Sequence, residues 1–333
     1  MGRAQRDGRR ETARPPGRLG ARRALKVAAL AVLSVPFLTA CGIEDVIRFG
    51  WPGGITPQAE QMRHLWTWSA IAALVVGAVT WGAMFWAVIF HRKKKGESDE
   101  VVPRQTQYNL PLEIVFTVVP TIIVAVLFGF TVLVQNFVEK DVPTDLTVDV
   151  TAKQWNWDFA YPGHKTPEGK DVITIGTSDT IPVLVLPTGR SVTFFQHSND
   201  VIHSFFIPEF LFKRDVFPLP EKNDQDPTWV IDNIEREGAF VGRCAELCGS
   251  YHSMMNFEVR VLSPARYDRW LDLRTKVNPL TNAPYTAGEA LQELGRSDPS
   301  CAALCTPIAT TTYPFANDRT QRSASLPPNA AGS

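Results

Sequence analysis

Leu146-Thr-Val-Asp-Val-Thr-Ala-Lys-Gln-Trp-Asn-Trp-Asp-Phe-Ala-Tyr161 sets the architecture of the larger, more polar part of this chain. Leu146, Val148 and Val150 alternate with Thr147, Asp149 and Thr151, the period of a half-buried strand. Trp155, Trp157, Phe159 and Tyr161 continue the alternation with opposite parity, so a bulge or bend is expected near Ala152 to Gln154. Further β-rich apolar runs follow at Val172 to Ile175, Ile181 to Leu186, Val192 to Phe195, Trp229 to Ile231 and Asn256 to Leu262, separated by Gly, Pro, Asn and Asp. So many short strands within residues 138–263 predict an all-β sandwich or a small Greek-key barrel.

Two long apolar runs precede this region. Leu65 to Phe90 is 26 residues without a charge, and Leu112 to Phe137 is equally long with Glu113 as its only charge. At about 1.5 Å of rise per residue each exceeds the roughly 30 Å hydrocarbon layer, so both are expected to span a membrane with tilt. Two such runs in succession weigh against a buried core helix. Trp66 and Trp68 at one end of the first, with Trp86 near the other, fit interfacial aromatic belts. The connecting loop, 91–111, opens with His91-Arg-Lys-Lys-Lys95 and adds Arg104, whereas 41–64 hold only Arg48 and Arg63. Basic short loops stay cytoplasmic, so the loop is expected inside and everything after residue 138 outside. Glu113 then lies at the cytoplasmic mouth of the second span, with Pro120 deeper, where a kink is expected. Such a carboxylate either serves function or snorkels to the interface, and its residue type alone leaves both readings open.

Over 333 residues, 34 basic side chains cancel 34 acidic ones. A formal charge of zero argues against a strongly basic nucleic-acid binder, but it hides segregation. Residues 1–40 carry +7 and residues 139–263 carry −8. The basic stretch is an Arg-rich leader followed by a short apolar core, Val27 to Leu38, the pattern of a secretory signal. Leu38-Thr-Ala-Cys41 resembles a bacterial lipoprotein box, which implies lipidation of Cys41 and a mature chain anchored outside the cytoplasm in membrane lipid. Beyond Ser263, a Ser263-Pro264 cap opens a short helix ending near Lys276, Thr286 with Glu289 forms a capping-box pattern, and the chain from about Thr306 has a disordered composition.

Five cysteines are present: Cys41, Cys244, Cys248, Cys301 and Cys305. In an oxidising compartment the plain reading of each remaining C-x3-C pair is a disulfide. The first pair, however, sits in Cys244-Ala-Glu-Leu-Cys248-Gly-Ser-Tyr-His252-Ser-Met-Met255, and upstream lies Asp200-Val-Ile-His203-Ser. Two thiolates and two imidazoles suit a closed zinc site. A thioether is what zinc does not need, and thiolate, imidazole and Met together are the preference of copper. Met255 shares parity with Phe257, Val259 and Val261 and is expected to point inward, unlike Met254. One Cys suffices for a single copper, so two at this spacing point to thiolates bridging two coppers. His197 lies six residues before His203, outside this pattern, and reads as a strand or surface histidine.

At this point the chain resembles the subunit II family of haem–copper cytochrome c oxidases over about residues 60–263, on the motif D-V-I-H-S … C-A-E-L-C-G-S-Y-H-S-M-M. The resemblance implies a two-helix transmembrane hairpin followed by an all-β cupredoxin-like Greek-key barrel. It implies a dinuclear copper centre, CuA, with Cys244 and Cys248 bridging, His203 and His252 each on one copper, Met255 axial to one and the Glu246 backbone carbonyl axial to the other. The Glu246 carboxylate is implied to help hold magnesium at the border with subunit I. Gln154-Trp155-Asn156-Trp157 matches the aromatic segment over the copper centre, with Trp155 as the point where electrons arrive, and Glu113 matches the mouth of the proton path called the K channel. The implied partners are oxidase subunits I and III and a cytochrome c, soluble or membrane-bound. The quinol-oxidase variant of the fold lacks the copper ligands and fails here, where all are filled. A membrane-anchored copper carrier or sensor acting alone is the alternative, and it needs neither Glu113 nor the Gln-Trp-x-Trp segment. The second pair, Cys301-Ala-Ala-Leu-Cys305, lacks the spacing and His of a haem-attachment motif and is expected to form a disulfide or an ordering clip against a partner subunit.

Overall fold

Two long helices lead into a β-domain in the computed structural model, which describes residues 48–305 apart from 94–95, 97, 99–101, 103–104, 178–180 and 302–303. The expected leader, Cys41 and the tail from Thr306 lie outside the described residues. Helix α1 covers Pro57–Phe90, beginning well before Leu65. Its polar first turns are helical because the start is fixed: Thr56 Oγ1 accepts from the Ala59 N–H at 3.1 Å and Pro57 occupies the first turn. Just upstream, the buried Ile55 donates its N–H to the Glu209 carbonyl (3.0 Å) and accepts from the Glu235 N–H (2.9 Å), tying this helix to the β-domain. Helix α2, Leu110–Val138, carries Pro120 inside it. It runs antiparallel to α1, with Leu65 and Trp68 of α1 facing Leu127 and Phe130 of α2 across a gap. The apolar stretches of both helices are exposed along their length, as lipid-facing spans require.

The β-domain contains β1 (Leu146–Lys153), β2 (Asn156–Lys165), β3 (Asp171–Ile175), β4 (Val183–Pro187), β5 (Val192–Ser198), β6 (His203–Ile207), β7 (Phe212–Val216), β8 (Thr228–Ile231), β9 (Gly238–Cys244) and β10 (Asn256–Leu262). They form two five-stranded sheets, ordered β3-β2-β1-β5-β8 and β4-β10-β9-β6-β7, with β1–β5 and β4–β10 parallel and the other pairs antiparallel. Of the bulge or bend expected near Ala152 to Gln154, the structure has the bend. Lys153 pairs with Asn156, so the chain reverses at Gln154-Trp155, and Val150 faces Phe159 while Ala152 faces Trp157. Partners across a hairpin share a face, so a two-residue reversal flips parity without any bulge.

The two inner faces meet in an aromatic core. Trp157 and Phe159 from β2 pack edge-on against Phe257 of β10 at 5.6 and 5.2 Å, and Phe205 of β6 stacks on Phe257 at 4.8 Å. The segment after Ser263 completes this core rather than trailing from it. Helix α3 (Pro264–Arg274), a short β11–β12 ribbon (Val277–Asn278 with Ala283–Pro284) and helix α4 (Ala287–Ser297) pack onto the barrel. Ser263 stands at the N-cap of α3 without a side-chain capping bond; its own N–H donates to Glu237 instead. The capping box of α4 forms as expected, Thr286 Oγ1 accepting from Glu289 N–H at 3.2 Å and Glu289 Oε2 accepting from Thr286 N–H at 2.8 Å. Cys301 and Cys305 form a buried disulfide.

Trp270 of α3 is wholly buried, meets Tyr161 edge-on at 5.2 Å and donates its indole N–H to the Ala287 carbonyl at 3.2 Å. Tyr161 in turn bridges the sheets, its hydroxyl accepting from the Val185 N–H at 3.0 Å and donating to the Val185 carbonyl at 3.2 Å. Trp270→Ala is therefore expected to destabilise the β-domain by about 3–5 kcal/mol. Denaturant unfolding of the detergent-solubilised chain, followed by tryptophan fluorescence, checks this; an unchanged midpoint would show the extension to be a mere appendage.

Candidate metal centre

Three loops at one end of the barrel converge on Cys244. β9 ends at Cys244, whose N–H donates to the Met255 carbonyl at 3.0 Å, and Ala245 N–H donates to the Ser204 carbonyl at 2.9 Å. These bonds hold the Cys244–Met255 loop against the start of β6, where His203 projects. Cys248, His252 and Met255 follow in the loop, His252 on a short 3-10 turn, His252–Met254.

The side chains meet as follows. The sulfurs of Cys244 and Cys248 lie 3.8 Å apart, unbonded. His203 Nδ1 is 3.8 Å from the Cys244 sulfur, and His252 Nδ1 is 3.6 Å from that of Cys248. Met255 Sδ lies 3.8 Å from the Cys248 sulfur, and the Glu246 carbonyl oxygen 3.3 Å from that of Cys244. His203 and Met255 are fully buried, the two cysteines nearly so, and His252 is half-buried. Both Met254 and Met255 are buried, but it is Met255 whose sulfur reaches the thiols.

This donor set fits copper. A metal–thiolate bond of about 2.3 Å exceeds half the 3.8 Å separation between the sulfurs, so both thiolates could reach the same metal. One imidazole flanks each sulfur, and the weaker donors, thioether and carbonyl, approach from further positions, as soft-metal sites demand. Zinc would leave the thioether idle.

The electrostatics explain why a cation is wanted here. Burial pushes the Cys244 thiol up, but hydrogen bonding from His203, the Ser204 and Glu246 backbones and His252 brings it down to about 7. Burial and then the neighbouring Cys244 sulfur push Cys248 up to about 12. One proton therefore stays in the metal-free pair until a cation replaces it.

Asp200 orients the first imidazole. Its Oδ1 lies 2.8 Å from His203 Nε2 and accepts the Nε2–H, which turns Nδ1 toward the sulfurs. Its Oδ2 accepts the Gln154 N–H at 2.6 Å, so the same carboxylate holds the β1–β2 turn over the site. Burial raises the Asp200 carboxyl, yet the His203, Gln154 and Val201 hydrogen bonds leave it below the ordinary Asp range. From this turn the Gln154 side-chain amide and the Trp155 indole N–H both donate to the Cys248 carbonyl, at 2.8 and 3.1 Å. Gly249 makes this approach possible: its φ is +116° and an added Cβ would stand 3.2 Å from both donors. Asp200, Gln154 and Gly249 had no role assigned from sequence; the Asp-x-x-His spacing was the available signal for the first. Asp200→Ala is expected to weaken copper retention by about 10–100-fold, read by chelator competition on the purified protein. Wild-type retention would mean that His203 is oriented by packing alone.

Other expected residues lie elsewhere. His197 of β5 contacts Thr151 Oγ1 at 3.3 Å, away from the sulfurs. The Glu246 side chain is exposed at the loop surface. Glu113 lies in the first turn of α2, roughly 37 Å of helix from the end that meets the β-domain, and its Oε1 accepts the Asn109 N–H at 2.9 Å while Asn109 Oδ1 caps Leu112 N–H at 3.3 Å.

Comparison with known proteins agrees with this site. The family model for the periplasmic domain of cytochrome c oxidase subunit II matches residues 146–262, which span the barrel and every close donor. A probable cytochrome c oxidase subunit 2 of Nocardia farcinica is 46% identical, with 93% of each chain covered. Cytochrome c oxidase subunit 2 of Mycobacterium bovis is 41% identical over 89% of each chain, and that of Corynebacterium diphtheriae 40% identical over 86% of this chain and 90% of its own. The likeness takes in the apolar helices as well as the barrel, so this is a membrane protein with two spans and a copper-site cluster in its β-domain, and it belongs to the cytochrome c oxidase subunit II family of oxidoreductase complexes.

Proposed function

We propose that this subunit receives electrons from a cytochrome c and passes them to haem a of subunit I, where oxygen is reduced to water with proton pumping, and that it does so through a dinuclear copper centre. The observation carrying this reading is the pair of buried thiols 3.8 Å apart, each flanked by one imidazole, with a thioether beside them. Cys244 and Cys248 would hold the copper pair together with His203 and His252, one imidazole for each metal, while Met255 and the Glu246 carbonyl would serve as its weaker donors. When bound, the copper pair supplies one-electron transfer with little reorganisation, because the added electron is shared between two metals.

The chain's own residues do the rest. Asp200 keeps the His203 proton on Nε2, leaving Nδ1 free to bind. The closed aromatic core keeps water from the sulfurs and fixes the ligands on a rigid barrel. Trp155 offers a half-buried aromatic surface one hydrogen bond from Cys248. The −8 charge of residues 139–263 favours encounter with a basic cytochrome c, at a rate that falls as salt rises.

Further assignments belong to this reading. The exposed Glu246 carboxylate serves a magnesium ion at the border with subunit I, and subunit III joins the complex. Glu113 opens the proton path; its cap of α2 holds the carboxylate at the helix mouth. Residues 1–40 are a lipoprotein signal, Cys41 carries lipid, residues 41–64 and 138–333 lie outside the cytoplasm, 65–90 and 112–137 span, and 91–111 face the cytoplasm. The test is electron paramagnetic resonance of the purified oxidase. A multi-line signal from one spin shared by two copper nuclei is expected; a four-line single-copper pattern, or zinc on metal analysis, would overturn the dinuclear centre.

A further inference from the structure

Away from the metal centre, the barrel has an open seam. β3 and β4 are edge strands of the two different sheets, and between them lies a cavity of about 600 Å³, within the range of small-molecule sites. Its walls are mainly apolar, from Ile173, Ile175, Ile181, Val183 and Tyr285. Ile173 and Ile175 remain 38% and 54% exposed, although they stand beside a cavity that would shelter them if filled.

One wall is cationic. Arg274, the last residue of α3, lines the cavity and is only 4% exposed. Its guanidinium donates from Nη2 to the Ile173 carbonyl at 2.7 Å and lies 5.7 Å from the centroid of the Trp270 ring. Its Nε is buried with no hydrogen-bond partner, and the Glu289 carboxylate, already engaged in the α4 cap, acts on the guanidinium through space and not by a hydrogen bond. Burying a guanidinium without a directly bonded anion is costly, and a buried N–H left unpaired adds to that cost. The carboxylates at the rim are already answered: Glu168 by Lys170 at 3.3 Å and Asp171 by Lys165 at 2.7 Å. The first turn of α4, Ala287 and Gly288, also lines the cavity, and the leading N–H groups of a helix need no intrahelical acceptor.

We propose that this seam is a binding site for a small apolar carboxylate, its carboxyl group meeting Arg274 and the first turn of α4 and its apolar body covering Ile173, Ile175 and Ile181. The match is in the chemistry of the walls: a single buried cation calls for one negative charge, and the apolar walls call for a hydrocarbon or aryl body. A strongly hydrated anion such as phosphate would gain the charge but leave the isoleucines wet.

The test uses the purified oxidase in nanodiscs with 4-(trifluoromethyl)phenylacetate as a fluorine magnetic-resonance probe, the corresponding uncharged amide as control, octanoate as competitor and inorganic phosphate as a bare anion. The carboxylate is expected to bind, to be displaced by octanoate and not by phosphate, and to exceed the amide in affinity about tenfold or more. Arg274→Met is expected to remove that preference. Ile173→Trp, at an exposed edge position that leaves Arg274 in place, is expected to fill the seam and abolish binding, and it decides the matter should Arg274→Met fail to fold. Absence of binding, equal binding of carboxylate and amide, or binding that survives Ile173→Trp would each overturn the proposal.

Discussion

Cys248→Ser is expected to erase the two-copper signal and lower oxidase turnover by about a hundredfold or more, a larger loss than removal of any residue supporting the ligands. The hydroxyl is too weakly acidic to replace a thiolate, and Cys248 meets three other donors of the site: the other sulfur at 3.8 Å, His252 at 3.6 Å and Met255 at 3.8 Å. Its carbonyl, which anchors Gln154 and Trp155, survives the substitution, so the turn should stay in place and the fold should persist. Haem absorption of the variant complex provides the control for assembly. The metal-free wild type adds a pH signature. Burial and the neighbouring sulfur keep a proton on the metal-free thiol pair, so loading must displace it. Copper retention is thus expected to strengthen as pH rises and to weaken as it falls. In Cys248→Ser the coupling to a neighbouring thiol is gone, so the pH slope should flatten. A variant that keeps the two-copper signal would refute the bridging role.

The legible parts of the chain were those where one local pattern answers to one physical cause. Uncharged runs of 26 residues announce spans, and Cys, His and Met spaced within a dozen residues announce a soft-metal site, because few other demands produce either. β6, β7 and β9 escaped. β9, Gly238–Cys244, has two glycines and no alternation to read, and β6 is short and begins at His203 itself, directly after a loop. The parity change after Ala152 is compatible with a bulge or a bend, because both leave the same trace in sequence; only pairing of Lys153 with Asn156 separates them. Long-range partners were invisible for a similar reason. That Trp270 closes the core beside Tyr161, more than a hundred residues earlier, follows from packing that no window of sequence contains. Asp200 stood in plain view in Asp-Val-Ile-His203, yet its second bond, to the Gln154 N–H, requires the hairpin turn to fold back over the site.

Trp155→Phe is expected to slow electron arrival from the protein donor by roughly thirtyfold or more, the scale set by loss of an interfacial Trp hot spot, while leaving the copper signal intact. Trp155 sits at the reversal between β1 and β2, half-buried, with its ring edge-on to Tyr251 at 4.9 Å and its indole N–H on the Cys248 carbonyl at 3.1 Å. Phenylalanine keeps an aromatic face at the surface but cannot make that bond, so the contact between the docking surface and the ligand loop is lost at one point only. Gln154 continues to hold the same carbonyl at 2.8 Å, and Asp200 continues to hold the turn, which is why the ligands should not move. Two comparisons separate a role in electron arrival from a structural one. Turnover with a small-molecule reductant able to reach the metal centre directly should be preserved, since it bypasses the Trp surface. The salt dependence of turnover with cytochrome c should keep its slope, because the substitution changes no charge on the acidic domain and steering is set by that charge. Equal losses with both donors would mean that the site itself was disturbed, and full activity with cytochrome c would mean that electrons arrive through another part of the barrel surface.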